Sequence, residues 1–426
     1  MPKKEIDNFF SLYDVGIKNQ GKVQIFTEAA LDERDEVIPF PVQMSIVSHY
    51  WSLRDKVAPA ILDTYEDRAL NLIDGWLNIL HEEVVLVHEN ALQYNLFQPL
   101  ENVPFQTPEQ PLFTFIDLFA GIGGFRIPMQ NLGGACVFSS EFDSNAQRTY
   151  LHNFGEVPFG DITRESTKGY IPNDFDVLCA GFPCQAFSVA GHRRGFEDAR
   201  GTLFFDVAEI IRRKRPKAVF LENVKNLKSH DEGRTFEVIT NTLQDLGYVV
   251  FHKIMNSMEY ANVPQNRERI FIVCFDPDQV PNYHEFSFPE RVELTKNIHD
   301  CIDLGVTDAK YFYTKKMNHY DELVSGITDP NSVYQWRRQY VRQNKSSVCP
   351  TLTANMGTGG HNVPLILTQK GIRKLTPKEC LNFQGYPQEY QFPTSLADSA
   401  KYKQAGNSVV VPLIQRVCER IVKVIG

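Results

Sequence analysis

The sequence predicts an α/β fold with a doubly wound, mostly parallel sheet, and two features of the chain indicate this class. From Leu112 onward, short apolar runs alternate with stretches of helical spacing, which is the pattern of βαβ units. The first run is followed by a loop with three glycines, which suits close approach of the backbone to a ligand at the carboxyl edge of such a sheet. The predicted strands are Phe113 to Leu118, Ala135 to Ser139, Val177 to Ala180, Ala218 to Leu221, Tyr248 to Ile254 and Arg269 to Phe275.

Length and composition limit the number of domains and the class of protein. With 426 residues the chain exceeds one ordinary core, so two or three domains are expected. The chain is 42% hydrophobic and 23% charged and has no apolar stretch long enough to span a bilayer, so we expect a cytoplasmic protein without a membrane partner. The eight cysteines are scattered, without paired spacing or nearby histidines, which argues against a disulfide framework and predicts no metal site.

Residues 1–110 differ from the rest of the chain and are predicted to form a separate helical accessory extension. Apolar side chains between Met44 and Phe97 recur at helical spacing, and Val103 to Pro111, with three prolines, is predicted to be a linker. The extension holds 8 Lys and Arg against 18 Asp and Glu, whereas the remainder holds 36 against 34. The net charge of −8 therefore originates in the extension, whose acidity argues against contact with DNA.

The glycine loop after the first strand covers residues 117–124. It departs from the dinucleotide fingerprint because Arg126 stands where the third glycine belongs, so a pyrophosphate site is not predicted. Glu141 follows the second strand and suits the hydroxyl pair of a ribose, and Asp161 follows the next short run and suits an adenine amino group. A nucleoside cofactor without pyrophosphate fits these positions, and S-adenosylmethionine is the candidate.

Cys184 lies at the carboxyl end of the third predicted strand, where Pro183 fixes the direction of the chain. A buried structural thiol is the alternative interpretation for any single cysteine. Glu222 ends the fourth strand at the same predicted edge and is suited to act as an acid, and Arg269 begins the sixth strand. The intervening residues 186–201 combine glycines with arginines, which predicts a mobile loop that closes on phosphate, or else an ordinary surface loop.

A second basic feature lies further along the chain. Residues 331–370 contain five basic side chains and no acidic one. Within a mildly acidic protein, such a stretch indicates a polyanion site on one face, with a solvated basic loop as the alternative.

Ten short blocks of the sequence resemble, in the same order, the DNA methyltransferases that modify carbon 5 of cytosine. The resemblance covers about three quarters of the chain, from Phe113 to the carboxyl terminus. The blocks are DLFAGIGG (117–124), Glu141, GDIT (160–163), GFPCQAFS (181–188), GFEDARGTLFFD (195–206), LENV (221–224), QNRERIFIVCF (265–275), RKLTPKEC (373–380), GYP (385–387) and GNSVV (406–410).

The resemblance implies the S-adenosylmethionine-dependent methyltransferase fold and the bacterial restriction-modification type of enzyme. A methyl group would pass to carbon 5 of a cytosine flipped out of duplex DNA, leaving S-adenosylhomocysteine. Cys184 would add to carbon 6, Glu222 would protonate or hydrogen-bond ring nitrogen 3, and Arg269 would orient Glu222 and the carbonyl oxygen of the base. Arg267 is included in the catalytic set, with a surface salt bridge as the alternative interpretation. The residues implied at the cofactor are Phe119, Gly121, Gly123, Glu141, Asp161, Ile162, Pro183 and Asn407.

The family also has a target-recognition region, for which residues 297–404 are predicted together with a hinge. This leaves 111–296 and 405–426 as the catalytic domain. The residues predicted to contact double-stranded DNA are Gln185, Ser188, Arg193, Arg194, Arg337, Arg338, Arg342, Thr351, Leu352 and Gly359. A recognition region in the same chain makes a monomer sufficient, and the family implies functional pairing with a cognate restriction endonuclease.

Three alternatives to this function stay open. They are an RNA methyltransferase, since one branch of the family uses transfer RNA, a catalytically silent DNA-binding relative, and a nicotinamide oxidoreductase. The basic, glycine-rich recognition segment favours duplex DNA, and intact Cys184, Glu222 and Arg269 favour an active enzyme. The missing third glycine disfavours the oxidoreductase.

Overall fold

The computed structural model describes residues 38–183 without 84–99, and residues 203–426 without 318, 338 and 358–361; for 76–83 it describes the backbone alone. Seven predicted site residues lie outside this part of the chain: Cys184, Gln185, Ser188, Arg193, Arg194, Arg338 and Gly359. The chain divides into two compact units, which we describe separately. The described residues of the first unit fall within 1–180 and 203–217, and those of the second are 181–183 and 218–426 without the gaps above.

The first unit contains three parallel strands. Its elements are α1 (Phe40–Leu53), α2 (Pro59–Leu62), α3 (Glu66–Glu83), β1 (Phe113–Leu118), α4 (Arg126–Asn131), β2 (Gly134–Ser140), α5 (Ser144–Phe154), α6 (Glu165–Lys168), β3 (Val177–Ala180) and α7 (Leu203–Lys214). Strand β1 lies between β2 and β3 and is parallel to both. All residues of β2 and β3 are buried, which explains their continuous apolar sequences.

Local sequence signals set the ends of the helix that follows β2. The Asp143 carboxylate accepts hydrogen bonds from the backbone amides of Asn145 and Ala146, which caps the first turn of α5. The helix ends at Gly155, whose φ of 69° is accessible to glycine at little energetic cost. The carboxyl end of β2 is therefore followed at once by a fixed turn that contains Glu141.

The amino-terminal helices share the core of the first unit. Buried side chains of α1 and α3, among them Ile46, Val47 and Leu72, belong to the same compact unit as strands β1 to β3. Thr107, in the predicted linker, is 3% exposed and its hydroxyl lies 2.7 Å from that of Ser52. The helical prediction for this region is confirmed, and the boundary of an accessory extension at residue 110 stays a prediction.

The second unit contains antiparallel strand pairs. Its elements are β4 (Ala218–Val224), α8 (Arg234–Asp245), β5 (Val249–Asn256), α9 (Ser257–Tyr260), β6 (Gln265–Asn266), β7 (Glu268–Phe275), α10 (Tyr320–Gly326), β8 (Tyr334–Trp336), β9 (Val341–Gln343), β10 (Cys349–Pro350), β11 (Leu365–Thr368), β12 (Gly371–Lys374), α11 (Pro377–Phe383), α12 (Asp398–Asn407) and α13 (Val411–Ile425). Strand β7 lies between β4 and β5 and is antiparallel to both. The connection from β5 to β7 is short and contains only one turn of helix, whereas a parallel crossover needs a dozen or more residues.

A smaller sheet follows within the predicted recognition region. Strands β9, β8, β11 and β12 are hydrogen-bonded in that order and all three pairings are antiparallel. Its core includes Leu323, Tyr334, Trp336, Leu365 and Ile372. The α/β class is thus confirmed, all six predicted strands are present, and the domain boundaries within the second unit stay a prediction.

Candidate active site

The glycine loop of the first unit holds the backbone in unusual conformations. Phe119 has a φ of 55°, which few residues other than glycine adopt, and Gly121 has a φ of 56°. Gly123 has a φ of 79°, and a Cβ atom there would lie 2.3 Å from the Phe154 ring. The loop therefore turns tightly at the carboxyl end of β1 and presents its amide groups to the end of β2.

Glu141 is fixed against this loop. One carboxylate oxygen accepts a hydrogen bond of 2.8 Å from the Gly121 amide, and the other accepts one of 2.7 Å from the Asp143 amide. Burial raises the pKa of Glu141, and these two amides partly oppose that effect. The carboxylate is thereby oriented before any ligand binds, as a ribose-binding group requires.

Asp161 and Ile162 follow the short run that bridges to β2. Asp161 Oδ1 accepts hydrogen bonds from the amide and the hydroxyl of Thr163, at 3.0 and 2.8 Å. Its second oxygen has Arg164 at 3.9 Å as its ion-pair contact among the described residues, so it can still accept from a ligand. Ile162 is 3% exposed and contributes an apolar surface beside it.

Two further features of this region were missed by the sequence analysis, and both fit a nucleoside cofactor. Asp117 is fully buried, and neither of its carboxylate oxygens has a hydrogen-bond partner among the described residues. Burial raises its pKa to about 8, and Glu141 adds to this rise. Phe142, directly after Glu141, is 79% exposed although it is a large apolar ring. An unpartnered buried acid and an exposed aromatic ring are both groups that a bound ligand would satisfy.

Arg126, which replaces the third glycine of the dinucleotide fingerprint, has a structural role. Its guanidinium is fully buried and binds Glu156 through two contacts of 2.6 and 3.1 Å. Burial raises the pKa of Glu156, but the combined effects of Arg126, His49 and Ser52 hold it below its usual value. The position is therefore occupied by an internal ion pair rather than by a phosphate cradle.

In the second unit, the strand register brings Glu222 and Arg269 together. Phe271 lies opposite Glu222 on β4, so Arg269, two residues earlier on β7, is its diagonal neighbour on the same face. Arg269 Nε lies 2.9 Å from Glu222 Oε1. That oxygen is buried and has no aligned hydrogen-bond donor among the described residues. The pair is thus an acidic side chain held next to a cation.

Asn223, next to Glu222, supports the segment that leads to Cys184. Its side-chain amide donates a hydrogen bond of 2.8 Å to the carbonyl of Phe182, the residue before Pro183. Asn223 is 3% exposed, so this contact is shielded from water. Pro183 is exposed at the limit of the described residues, and the chain beyond it, with Cys184, is not described.

Arg267, predicted beside the catalytic group, lies in the interior. It is 2% exposed and donates to three backbone carbonyls, those of Leu352, Gly406 and Ser408, at 2.8, 3.2 and 2.5 Å. Burial and the neighbouring Arg269 lower its pKa to about 9. Arg267 therefore joins the Thr-Leu segment to the Gly-Asn-Ser segment, and we assign it a positioning role.

Leu352 and Asn407 lie in the two segments that Arg267 joins. Leu352 is 1% exposed, so its side chain is interior, whereas Asn407 is exposed at the end of α12. Gly406 must be glycine because a Cβ atom there would lie 2.1 Å from the Thr353 carbonyl oxygen. The two predicted site segments thus lie against one another through their backbones, and the predicted role of Leu352 stays a prediction.

A polar groove of about 500 Å³ opens beside Arg269. Its lining includes six side-chain amides, four cationic side chains and one carboxylate. Arg337, Arg342 and Thr351 from the prediction line it, and Gln335 was not predicted. The amides are Asn226, Asn266, Gln335, Asn344, Asn355 and Asn362, and the cations are Lys225, Arg269, Arg337 and Arg342.

Side chains alternate between the two faces of β8, and this alternation explains which of them line the groove. Tyr334 and Trp336 enter the core of the small sheet, so Gln335 and Arg337 lie on the opposite face. Gln335 Oε1 accepts a hydrogen bond of 3.0 Å from Arg337, and Gln335 is paired across the hairpin with Arg342. The groove carries a net positive charge, which suits a polyanion. Its side-chain amides each supply hydrogen-bond donors and an acceptor, which suit contacts with the edges of nucleic-acid bases.

The described cysteines offer no nucleophile. All seven are buried, and none of them forms a disulfide bond within the described part of the chain. Burial raises the pKa of Cys301 to about 12, and it also raises the pKa of Cys136, Cys274, Cys349 and Cys380. Of the eight cysteines in the chain, Cys184 therefore stays the candidate.

Comparison with known proteins agrees with this arrangement. Residues 113–423 match the family model described as C-5 cytosine-specific DNA methylase. The Type II methyltransferase M.Bsp6I of Bacillus sp. (strain RFL6) is 50% identical over 310 residues, which cover 72% of this chain and 97% of that protein. The Type II methyltransferase M.HpaII of Haemophilus parainfluenzae is 45% identical over 363 residues, which cover 80% and 97%.

Solved structures show the same fold at low sequence identity. The Dnmt2 methyltransferase of S. pombe aligns with a TM-score of 0.57 and 17% identity, over 73% of this chain and 98% of that one. The methyltransferase EhMeth of Entamoeba histolytica aligns with a TM-score of 0.54 and 19% identity, over 74% and 99%. In the described part of the chain, every helix is too short or too polar to cross a membrane.

Proposed function

The chain belongs to the C-5 cytosine-specific DNA methylase family and is a DNA (cytosine-5-)-methyltransferase of the bacterial restriction-modification type, and we propose from this premise how its residues carry out the reaction. The family implies S-adenosylmethionine as the methyl donor. We propose that the first unit supplies the glycine loop and the carboxylates that bind this cofactor, and that the second unit supplies the residues that bind the target cytosine and the DNA. The observation that carries the proposal is the Glu222 and Arg269 pair, of which Arg269 lines a positively charged groove.

The cofactor is proposed to bind at the glycine loop, through four side chains. Glu141 would accept from the ribose hydroxyls, Asp161 from the adenine amino group, and the exposed ring of Phe142 would stack on the adenine. The buried, unpartnered Asp117 supports a ligand with hydrogen-bond donors in this region. When bound, the cofactor supplies an electrophilic methyl group. Phe119, Gly121, Gly123, Ile162, Pro183 and Asn407 keep their family-based assignment to the cofactor as predictions.

We expect Glu141→Gln and Phe142→Ala to weaken cofactor binding. A glutamine can accept only one of the two ribose hydrogen bonds that a carboxylate can, and loss of the ring removes a stacking surface worth about 1–3 kcal/mol. Calorimetric titration with S-adenosylhomocysteine should therefore show Kd raised about tenfold for each variant. Tyr340→Ala, which removes another exposed ring, is the matched control. Unchanged affinity in both variants would contradict the proposed site.

The second unit is proposed to activate the cytosine. Cys184 would add through sulfur to carbon 6, while Glu222 gives a proton to ring nitrogen 3 and so neutralises the charge that the addition creates. Carbon 5 would then become nucleophilic and take the methyl group as the bond between this group and the sulfonium sulfur breaks. Removal of the carbon 5 proton by a base that is not assigned would expel the thiolate, and return of the nitrogen 3 proton to Glu222 would restore the neutral ring. Arg269 holds Glu222 in place throughout.

Duplex DNA is proposed to lie along the polar groove. Because carbons 5 and 6 are covered in stacked duplex DNA, the cytosine must be flipped out, at a cost of a few kcal/mol. Gln335 orients Arg337 through their hydrogen bond, which leaves the remaining guanidinium donors to read a guanine edge or bind a phosphate. Arg342, on the paired strand, supplies a second cation. Lys225, whose ammonium contacts Glu268, borders the same groove.

Replacing Arg337 with alanine is expected to weaken DNA binding without a change in cofactor affinity. Loss of a contact to a base would reduce the binding free energy by about 1–3 kcal/mol and relax the sequence preference at one position. Loss of a contact to a phosphate would instead reduce the slope of log K against log salt concentration by about one. Fluorescence anisotropy over a range of salt concentrations separates these two cases. Arg291→Ala, an exposed arginine outside the groove, controls for loss of charge. Equal binding by wild type and Arg337→Ala would exclude this residue from the interface.

The proposed function is tested by methylation of plasmid DNA. The purified protein is incubated with S-adenosylmethionine, and 5-methylcytosine is mapped by bisulfite sequencing. We expect modification at one short recurring site and protection of that site against an endonuclease that recognises it, as the restriction-modification type implies. Methylation of RNA alone, or no methylation by a protein that binds the cofactor, would overturn the proposal.

A further inference from the structure

Helix α1 places polar side chains where a packing helix usually has apolar ones. Ser45, Ser48 and His49 recur on one face of the helix and each is at most 1% exposed. The helix precedes residues 113–423, the part of the chain that matches the family. Burying three polar groups is unfavourable unless each has a hydrogen-bond partner, so their partners indicate what the face does.

The two serines bind the backbone that follows helix α5. Ser48 Oγ accepts a hydrogen bond of 3.0 Å from the Val157 amide. Ser45 Oγ shares its proton between the carbonyl of Pro41, at 3.0 Å, and that of Pro158, at 3.2 Å. These residues lead directly into Phe159, whose carbonyl accepts from the Glu141 amide at 2.8 Å. The chain then continues to Asp161.

His49 binds the backbone of strand β2 itself. Its Nδ1 lies 2.8 Å from the Ser45 carbonyl, which can only accept, so Nδ1 carries the proton. Burial lowers the pKa of His49 and so favours the neutral ring, although Nε2 is 3.2 Å from Glu156, the partner of Arg126. Nε2 therefore accepts from the Ser139 amide, at 3.2 Å.

Tyr65, between α2 and α3, completes the arrangement. Its hydroxyl donates to the carbonyl of Val137 at 2.7 Å, and the side chain is fully buried. The register of β1 and β2 shifts at this point, because Phe115 pairs with Cys136 and Ile116 with Phe138. Val137 is thus the extra residue of a bulge, and a bulge disrupts the hydrogen-bond ladder and redirects the strand.

These contacts converge on the two carboxylates assigned to the cofactor. Ser139 lies two residues before Glu141, and Val157 and Pro158 lie three or four residues before Asp161. We infer that Ser45, Ser48, His49 and Tyr65 are positioning residues that hold the Glu141 and Asp161 segments in the cofactor-binding conformation. The amino-terminal helices are then a functional part of the cofactor site in this chain. This inference rests on the proposed cofactor assignment.

The inference is tested by cofactor binding in the absence of DNA. His49→Phe keeps a ring of similar width but removes the acceptor for the Ser139 amide, and Tyr65→Phe removes only the hydroxyl. We expect calorimetry with S-adenosylhomocysteine to give a Kd raised about tenfold for His49→Phe, equivalent to about 1.4 kcal/mol. His49→Gln, whose side-chain amide can supply an acceptor near the Nε2 position, is expected to restore affinity to within about threefold of wild type. In steady-state assays the KM for S-adenosylmethionine should rise while kcat stays near the wild-type value.

Leu72→Ala is the control for general destabilisation. Leu72 is buried on α3 and has no polar group, so its loss should lower the melting temperature without changing Kd. If His49→Phe does not fold, Tyr65→Phe and Ser48→Ala decide the question. Folded variants that bind as wild type, or a failure of His49→Gln to improve on His49→Phe, would overturn the inference. A wild-type protein that fails to bind S-adenosylhomocysteine would instead overturn the cofactor assignment itself.

Discussion

Replacement of Cys184 by alanine is expected to abolish methyl transfer and to leave cofactor binding intact. The thiolate acts only on the base, so its loss removes the addition to carbon 6 without touching the residues assigned to the cofactor. Loss of a covalent nucleophile commonly lowers kcat by several orders of magnitude, and we expect at least about 10⁴-fold here. The other seven cysteines are buried and therefore cannot substitute for it.

Covalent trapping gives this prediction a second readout. Fluorine at carbon 5 cannot leave as a cation, so a 5-fluorocytosine in the target site should stop the reaction before the thiolate is expelled. We expect wild type and the control Cys301→Ala to form a complex with such DNA that survives denaturation, and Cys184→Ala to form none. Turnover by Cys184→Ala, or trapping through another residue, would exclude Cys184 as the nucleophile.

The second large effect is expected for Glu222→Gln. The amide keeps the size of the side chain but cannot give a proton to ring nitrogen 3, and proton transfer of this kind contributes about 10²- to 10⁴-fold to a rate. We expect kcat to fall within this range, with cofactor affinity unchanged. Single-turnover methylation of a saturating DNA duplex measures the chemical step directly.

Two controls separate this role from other effects of charge. Glu268→Gln changes the carboxylate that lines the groove next to Arg269 and is expected to alter the rate far less. Arg269→Lys keeps the charge but loses the planar contact with Glu222, so it should lower kcat without abolishing it. Full activity of Glu222→Gln would mean that the proton reaches the ring from another group.

Much of the fold followed from local patterns. Apolar runs located the strands, including the short Val177–Ala180, whose residues are all buried, so that apolar side chains occupy both of its faces. The position of Glu141 could also be predicted from the sequence, because a carboxylate directly after a strand lies at the ligand-binding edge. The antiparallel direction of β7 was not predicted, because strand patterns contain no information on the direction of a neighbour.

Long-range backbone contacts explain what the sequence analysis missed. Arg267 looked like a partner of the catalytic pair, but its guanidinium binds carbonyls from 85 to 141 residues away. Gln335 was overlooked because its relation to Arg337 depends on the face of β8 that the small core occupies. In the amino-terminal region, helical spacing predicted helices, but it gave no sign that His49 would meet Ser139, 90 residues later.

The sequence by itself therefore determined the α/β class, the strands and the chemical groups at their ends, because apolar periodicity and residue type act locally. It also placed the protein in its family through ordered blocks. The tertiary structure decided which of these groups are exposed to a ligand and which are internal supports, as the contrast between Arg269 and Arg267 shows. The physical reason is that burial and hydrogen-bond partners depend on segments far apart in the chain, and only folding brings those segments together.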